Sequence, residues 1–228
     1  MLSVHGLFAR YAAAPVLSDI SLDMAEGEAW VLAGRNGAGK STLLKSLIGL
    51  LPPASGTIRF RGREIAGLPS FRIARLGFGY VPEERRIFTE LTVAENLRVA
   101  RRPGEWDEAR VMSLFPVLAE LRSRRAGTLS GGEQQMLTIA RTLMTAPVLL
   151  ALDEPGEGLA PLIVRALADA LRALKASGTT LLIAEQNLRF TAGLADHAAV
   201  IERGRIVWRG DSGVLENDRG LRERYLAL

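Results

Sequence analysis

Residues 34–42 read Gly34-Arg35-Asn36-Gly37-Ala38-Gly39-Lys40-Ser41-Thr42, so glycines, a lysine and two hydroxyls crowd into one short run. Glycines let successive backbone N–H groups curl around an anion, and a helix that starts there adds its own donors and positive dipole end. The spacing Gly34-x-x-x-x-Gly39-Lys40-Ser41 is the Walker A pattern of phosphate-binding loops. In that chemistry the backbone from Asn36 through Gly37, Ala38 and Gly39 to Thr42 wraps the phosphates of a nucleoside triphosphate. Lys40 reaches the β- and γ-phosphates, and Ser41 places its hydroxyl on Mg²⁺.

Such a loop needs an acidic partner at the end of another apolar strand, and Val148-Leu149-Leu150-Ala151-Leu152-Asp153 supplies one. Asp153 is the expected Mg²⁺ partner, directly or through water. Glu154, one residue further out, is placed to orient or deprotonate an attacking water.

The elements that must hold these residues follow from periodicity. Val4–Phe8, Ile20–Met24 and Ala29–Ala33 read as strands, with a turn at Glu26-Gly27-Glu28. A helix should run from Lys40 to about Leu50, where Pro52-Pro53 stops it. Thr57–Phe60 and Phe78–Val81 are expected to be extended. Helices are then expected over Thr92–Arg101, Trp106–Ser123 and Gly131–Thr145. Thr92-x-x-Glu95 and Ser130-x-x-Glu133 have capping-box spacing, and Pro116 predicts a kink or break within the second helix. A helical subdomain is thus inserted at about residues 85–145. Alternation then returns: strand Val148–Leu152, helix Leu162–Ala176, strand Thr179–Ala184, helix Leu188–Ala195, and a hairpin from Ala198 to Val207 turned at Arg203-Gly204, followed by short helices. This pattern predicts an α/β fold with a largely parallel sheet covered by helices, after a strand-rich opening third.

Composition sets outer bounds. Hydrophobic residues make up 48% of the 228-residue chain, enough for a sizeable core and far from a disordered composition. The apolar runs are strand-sized, well short of the roughly 20 residues that cross a bilayer. The N-terminus has no export-signal pattern. Cysteine is absent, which excludes disulfides, thiolate metal sites and cysteine nucleophiles. The net charge of +4 is modest, and the basic residues are mostly arginines in clusters such as Arg59, Arg61 and Arg63 or Arg122, Arg124 and Arg125. A solvated face explains these clusters without a nucleic-acid partner.

Between the two phosphate motifs lies Leu129-Ser130-Gly131-Gly132-Glu133-Gln134-Gln135. This run resembles the signature sequence of the ATP-binding cassette (ABC) ATPases, and the resemblance extends over nearly the whole chain. It implies a P-loop NTPase fold of the ABC type: a mostly parallel core sheet, an N-terminal antiparallel β region and an inserted helical subdomain, within one domain over 1–228. It also implies roles for further residues. Tyr11 matches the aromatic that stacks on adenine. Ser130, Gly131 and Gly132 match the residues that bind the γ-phosphate held by a second cassette, whereas the capping box alone accounts for Glu133. Gly158-Leu159-Ala160-Pro161 matches the loop that touches the opposing cassette. Glu83 stands where the family usually has a glutamine near Mg²⁺, and Gln186 stands where most relatives carry a histidine near the γ-phosphate. A glutamine there can donate a hydrogen bond but cannot carry a proton.

Val81-Pro82-Glu83, Glu95-Asn96-Leu97, Gly158-Leu159-Ala160-Pro161 and Glu185-Gln186-Asn187 are together similar to cassettes of branched-chain amino acid importers, of the second-cassette type. Urea and amide importers of the same branch look alike. The resemblance therefore implies an ATPase that powers solute uptake through ATP- and Mg²⁺-dependent cassette pairing. Its implied partners are a second cassette, identical or related, two transmembrane permease subunits, and a periplasmic or extracellular solute-binding protein. Its implied place is the cytoplasmic face of a bacterial or archaeal plasma membrane. A cassette ATPase acting on nucleic acid is the alternative, but such proteins usually bring a coiled-coil insert or second cassette that this length does not accommodate.

Overall fold

The computed structural model describes residues 1–226. Two sheets enclose the first helix. One is antiparallel, built from β1 (Leu2–Tyr11), β2 (Ala14–Met24), β4 (Ser55–Phe60) and β5 (Arg63–Glu64) in the order β2-β1-β4-β5. The other contains β3 (Ala29–Ala33), β6 (Phe78–Val81), β7 (Leu149–Asp153), β8 (Thr180–Glu185), β9 (His197–Glu202) and β10 (Arg205–Asp211). Its order is β10-β9-β3-β8-β7-β6, with every pairing parallel except the β9–β10 hairpin. Strands β3, β7 and β8 are buried along their whole length, as a parallel sheet covered on both faces requires.

Helix α1 (Lys40–Leu47) drives Leu43, Leu44 and Leu47 into the gap between the sheets, beside the tilted ring pair Phe60–Phe78. It ends before Leu50 because Gly49 turns the chain at φ 74°. A helix absent from the sequence reading, α2 (Ser70–Arg75), precedes β6. Its six residues carry too little periodicity to signal it, with only Ile73 buried.

Between β6 and β7 lie α3 (Val93–Ala100), α4 (Glu108–Leu114), α5 (Pro116–Glu120) and α6 (Gly131–Leu143). Both capping boxes form, at Thr92–Glu95 and at Ser130–Glu133. The expected helix over Trp106–Ser123 is two helices. Proline disfavours a helical residue before it, and Phe115 sits at φ −127°, ψ 76°, so Pro116 opens a new helix as its first residue. The segment from Glu83 to Leu91 is irregular and is held by Asn96, which is fully buried. Its side chain accepts from Phe88 N (3.0 Å) and donates to the carbonyls of Phe88 (3.0 Å) and Thr92 (3.0 Å).

After β7, α7 (Pro161–Ala176) and α8 (Leu188–Thr191) cross over to β8 and β9. Helix α8 is shorter than the expected Leu188–Ala195, because the chain leaves helical geometry at Ala192. The tail forms α9 (Ser212–Asn217) and α10 (Arg219–Tyr225). Among the described residues no helix is long and apolar enough to cross a membrane.

Candidate functional site

Parallel register gathers the sequence motifs along one edge of the six-stranded sheet. Ala33 pairs with Glu185, Asp153 with Ala184, and Val81 with Leu152. The carboxyl ends of β3, β6, β7 and β8 therefore deliver the glycine-rich loop, Glu83, Asp153–Glu154 and Gln186 to the same side. In open α/β sheets this end of the strands is where ligands bind.

The loop enters α1 through Gly39, whose φ of 115° would strain any other residue. No side chain caps α1. The first-turn N–H groups of a helix have no intrahelical partner, so the backbone N–H groups at Lys40, Ser41 and Thr42 remain as an anion cradle. Lys40 is only 3% exposed. Its Nζ donates to the carbonyls of Gly34 (2.7 Å) and Arg35 (3.2 Å) and lies 3.0 Å from Glu154 Oε1. The expected phosphate-binding lysine and the expected general base thus neutralise one another.

Ser41 Oγ donates to Asp153 Oδ1 at 2.9 Å, and Tyr80 Oη donates to Asp153 Oδ2 at 3.1 Å. Burial raises the Asp153 carboxyl above its ordinary value, against the two hydroxyl donors that favour its anion. Burial and the charge of Asp153 together push the Tyr80 phenol up. Glu154 has φ 46°, a left-handed conformation that is rare outside glycine and that turns its carboxylate back toward Lys40. Burial works to raise the Glu154 carboxyl, but hydrogen bonding with Glu157 and Lys40 and the lysine's charge hold it below its ordinary value. Glu157 is raised, first by that hydrogen bond with Glu154, then by burial and by the charges of Glu154, Glu83 and Glu185. Burial pushes the Glu185 carboxyl up to about 7, although it accepts from Gly156 N at 3.0 Å. The carboxyls of Glu154, Glu157 and Glu185 thus surround the turn after β7.

Tyr11 lies at the end of β1, 47% exposed, two residues beyond Ala9, whose cross-strand partner is Leu17. Gln186 is half-buried just past β8, and Glu83 is exposed just past β6. Ser130 is exposed at the start of α6. Its N–H donates to Glu133 Oε2 at 2.7 Å, and its hydroxyl accepts from Glu133 N at 3.4 Å. A Cβ on Gly131 would meet the Arg85 guanidinium at 2.7 Å, and one on Gly132 would meet Ile163 of α7 at 2.7 Å. The sequence reading did not single out Tyr80, Glu157 or the side chain of Glu185. Tyr80 and Glu185 approach the site only through strand register, which no local pattern encodes.

Residues 17–157 match the family model described as ABC transporter, and the chain belongs to this family of ATP-hydrolysing cassettes. It is 44% identical to the high-affinity branched-chain amino acid transport ATP-binding protein BraG of Pseudomonas aeruginosa, over 99% of each chain. It is 34% identical to the lipopolysaccharide export system ATP-binding protein LptB of Acidithiobacillus ferridurans, over 99% of this chain and 96% of LptB. Among solved structures, an ATP-binding cassette of an ABC transporter in its ADP conformation superposes with a TM-score of 0.84 at 26% identity, covering 98% of this chain and 97% of the other.

Proposed function

We propose that this chain is the ATP-binding and ATP-hydrolysing subunit of an importer for branched-chain amino acids. The observation that carries the substrate class is the end-to-end identity to BraG, which exceeds the identity to an export cassette. The ion pair Lys40–Glu154 and the hydroxyl contact Ser41–Asp153 support the roles in hydrolysis.

In this reading the loop from Asn36 to Thr42 grips the phosphates, and Lys40 exchanges Glu154 for phosphate oxygens. Glu154, released from the lysine, then accepts a proton from the attacking water. Ser41 and Asp153 would hold Mg²⁺. Their oxygens already stand together, and among the described residues no cluster of three His, Asp or Glu side chains forms a cage for a metal. That suits an ion that keeps its waters and shares phosphate oxygens, and whose charge offsets that of the phosphates. Glu83 would accept from a metal-bound water, Tyr11 would offer its ring to adenine, and Gln186 would donate to the γ-phosphate.

Ser130, Gly131 and Gly132 would complete the site of a second cassette, identical or related, with Ser130 exposed at the N-terminus of α6. ATP would close the pair and hydrolysis would release it, since only the closed pair makes both sets of γ-phosphate contacts. Two transmembrane permease subunits and an extracytoplasmic solute-binding protein would complete the system, with this chain peripheral at the cytoplasmic membrane face. The test is ATP-driven uptake by the complex purified from native membranes and placed in vesicles. Leucine should be taken up and should stimulate phosphate release. Stimulation by urea or an amide instead would reassign the substrate, and stimulation by double-stranded DNA without membrane subunits would overturn the transport reading.

A further inference from the structure

The turn between β9 and β10 is remote in sequence from the phosphate loop and from β2, yet it lies between them. Arg203 and Gly204 form a two-residue hairpin loop, closed by the pair Glu202–Arg205, with φ of 46° and 74°. Positive φ at both positions is what a type I′ turn demands. Gly204 makes one backbone hydrogen bond in each direction. Its N–H donates to Ala38 O, inside the phosphate loop, at 2.8 Å, and its carbonyl accepts from Ser18 N, on β2, also at 2.8 Å. A Cβ on Gly204 would stand 1.8 Å from Val16 O. A Cβ on Gly39 would stand 3.0 Å from Leu17 Cδ2 and 3.3 Å from Ile201 Cδ1. The phosphate loop, β2 and the end of β9 therefore meet with no room for one extra methyl group.

Strand β2 is also the hairpin partner of the strand that carries Tyr11. Tyr11 pairs with Ala14, and Ala9 with Leu17, so the aromatic lies two residues along β1, and three along β2, from the level of Leu17, which abuts the loop. At about 3.4 Å per residue, that is roughly 7–10 Å.

We propose that Gly204 is a positioning residue for nucleotide binding: its backbone ties β2 to the phosphate loop and sets the distance between the aromatic platform and the phosphate cradle. This rests on the reading of Tyr11 as the base-stacking residue. A Cβ at 204, 1.8 Å from Val16 O, forces the turn and β2 apart, and moving β2 moves β1, its hairpin partner, which carries Tyr11. The base contact is then lost while the phosphate cradle stays.

The experiment compares equilibrium binding of ADP and of pyrophosphate to the full chain as wild type, Tyr11→Ala, Gly204→Ala and the double variant, each checked by thermal unfolding. Stacking on one aromatic is worth enough that each single variant should weaken ADP about tenfold while pyrophosphate changes less than about twofold. The double variant should lose little more than either single one, because both act on the same contact. The inference is overturned if Gly204→Ala leaves ADP binding intact while Tyr11→Ala weakens it. Equal weakening of ADP and pyrophosphate by Gly204→Ala, or fully additive losses in the double variant, would also overturn it. If Tyr11→Ala has no effect on ADP, the stacking role fails, and with it the distance that the turn is proposed to set. Should Gly204→Ala fail to fold, Leu17→Val loosens the same junction and must show the same selectivity, with an ADP loss of about threefold; no selectivity overturns the inference.

Discussion

Replacing Glu154 with glutamine should weaken hydrolysis and strengthen nucleotide binding at once. Lys40 Nζ and Glu154 Oε1 are 3.0 Å apart, with side-chain exposures of 3% and 10%. At an effective dielectric of about 20 their attraction is roughly 5 kcal/mol. Much of that offsets the desolvation of the two charges, and removing one partner of such a pair costs roughly 3 kcal/mol. The glutamine keeps a neutral acceptor for Lys40, and the carbonyls of Gly34 and Arg35 remain in place. Part of the pair's energy therefore returns when a phosphate replaces the carboxylate. ADP, which cannot be hydrolysed at a γ-phosphate, isolates this effect. Its affinity for Glu154→Gln should rise about 10- to 100-fold by titration calorimetry, or ~1.4–2.8 kcal/mol. Loss of the base should lower the steady-state rate of ATP hydrolysis by about 10²- to 10⁴-fold. Unchanged or weakened ADP binding would refute the idea that the two residues compete with nucleotide for one another.

Two further perturbations test the surroundings of the site. Glu185 has its carboxyl raised from 4.5 to about 7 by burial. A raised acid favours folding fully below its unfolded value and loses that contribution as pH climbs through its folded value. The chain should therefore lose ~3 kcal/mol of stability between about pH 4.5 and 7 from this group, and Glu185→Gln should flatten that slope in urea unfolding measured across the range. Asn96→Ala should destabilise the chain by about 1–3 kcal/mol, because it removes a fully buried side chain that bonds the part-buried N–H and carbonyl of Phe88. Hydrogen exchange should rise chiefly over 83–92.

The elements that were legible in the sequence are those whose signals are local. The glycine-rich loop, both capping boxes and the Arg203-Gly204 hairpin lie where spacing places them, because each is specified by backbone needs within a few residues. Strand β2 begins at Ala14 rather than near Ile20 because its first half is stabilised by pairing with β1 and by the turn at Gly204, contacts invisible in the run Ala14-Pro15-Val16. The same limit applies to chemistry. Asp153 and Glu154 were readable from an apolar run ending in acids, but the hydroxyl of Tyr80 on Asp153 and the clustering of Glu157 and Glu185 near Glu154 depend on parallel register. Gly204 carries the appearance of an ordinary hairpin glycine until the loop and β2 are seen on either side of it.

The most direct measurement of the central claim is phosphate release from ATP by the chain assembled with its membrane subunits, compared with the same assembly carrying Lys40→Ala. The account predicts Mg²⁺-dependent release that is stimulated by transported solute and falls to background in the variant. Release that persists at the wild-type rate without Lys40 would contradict it.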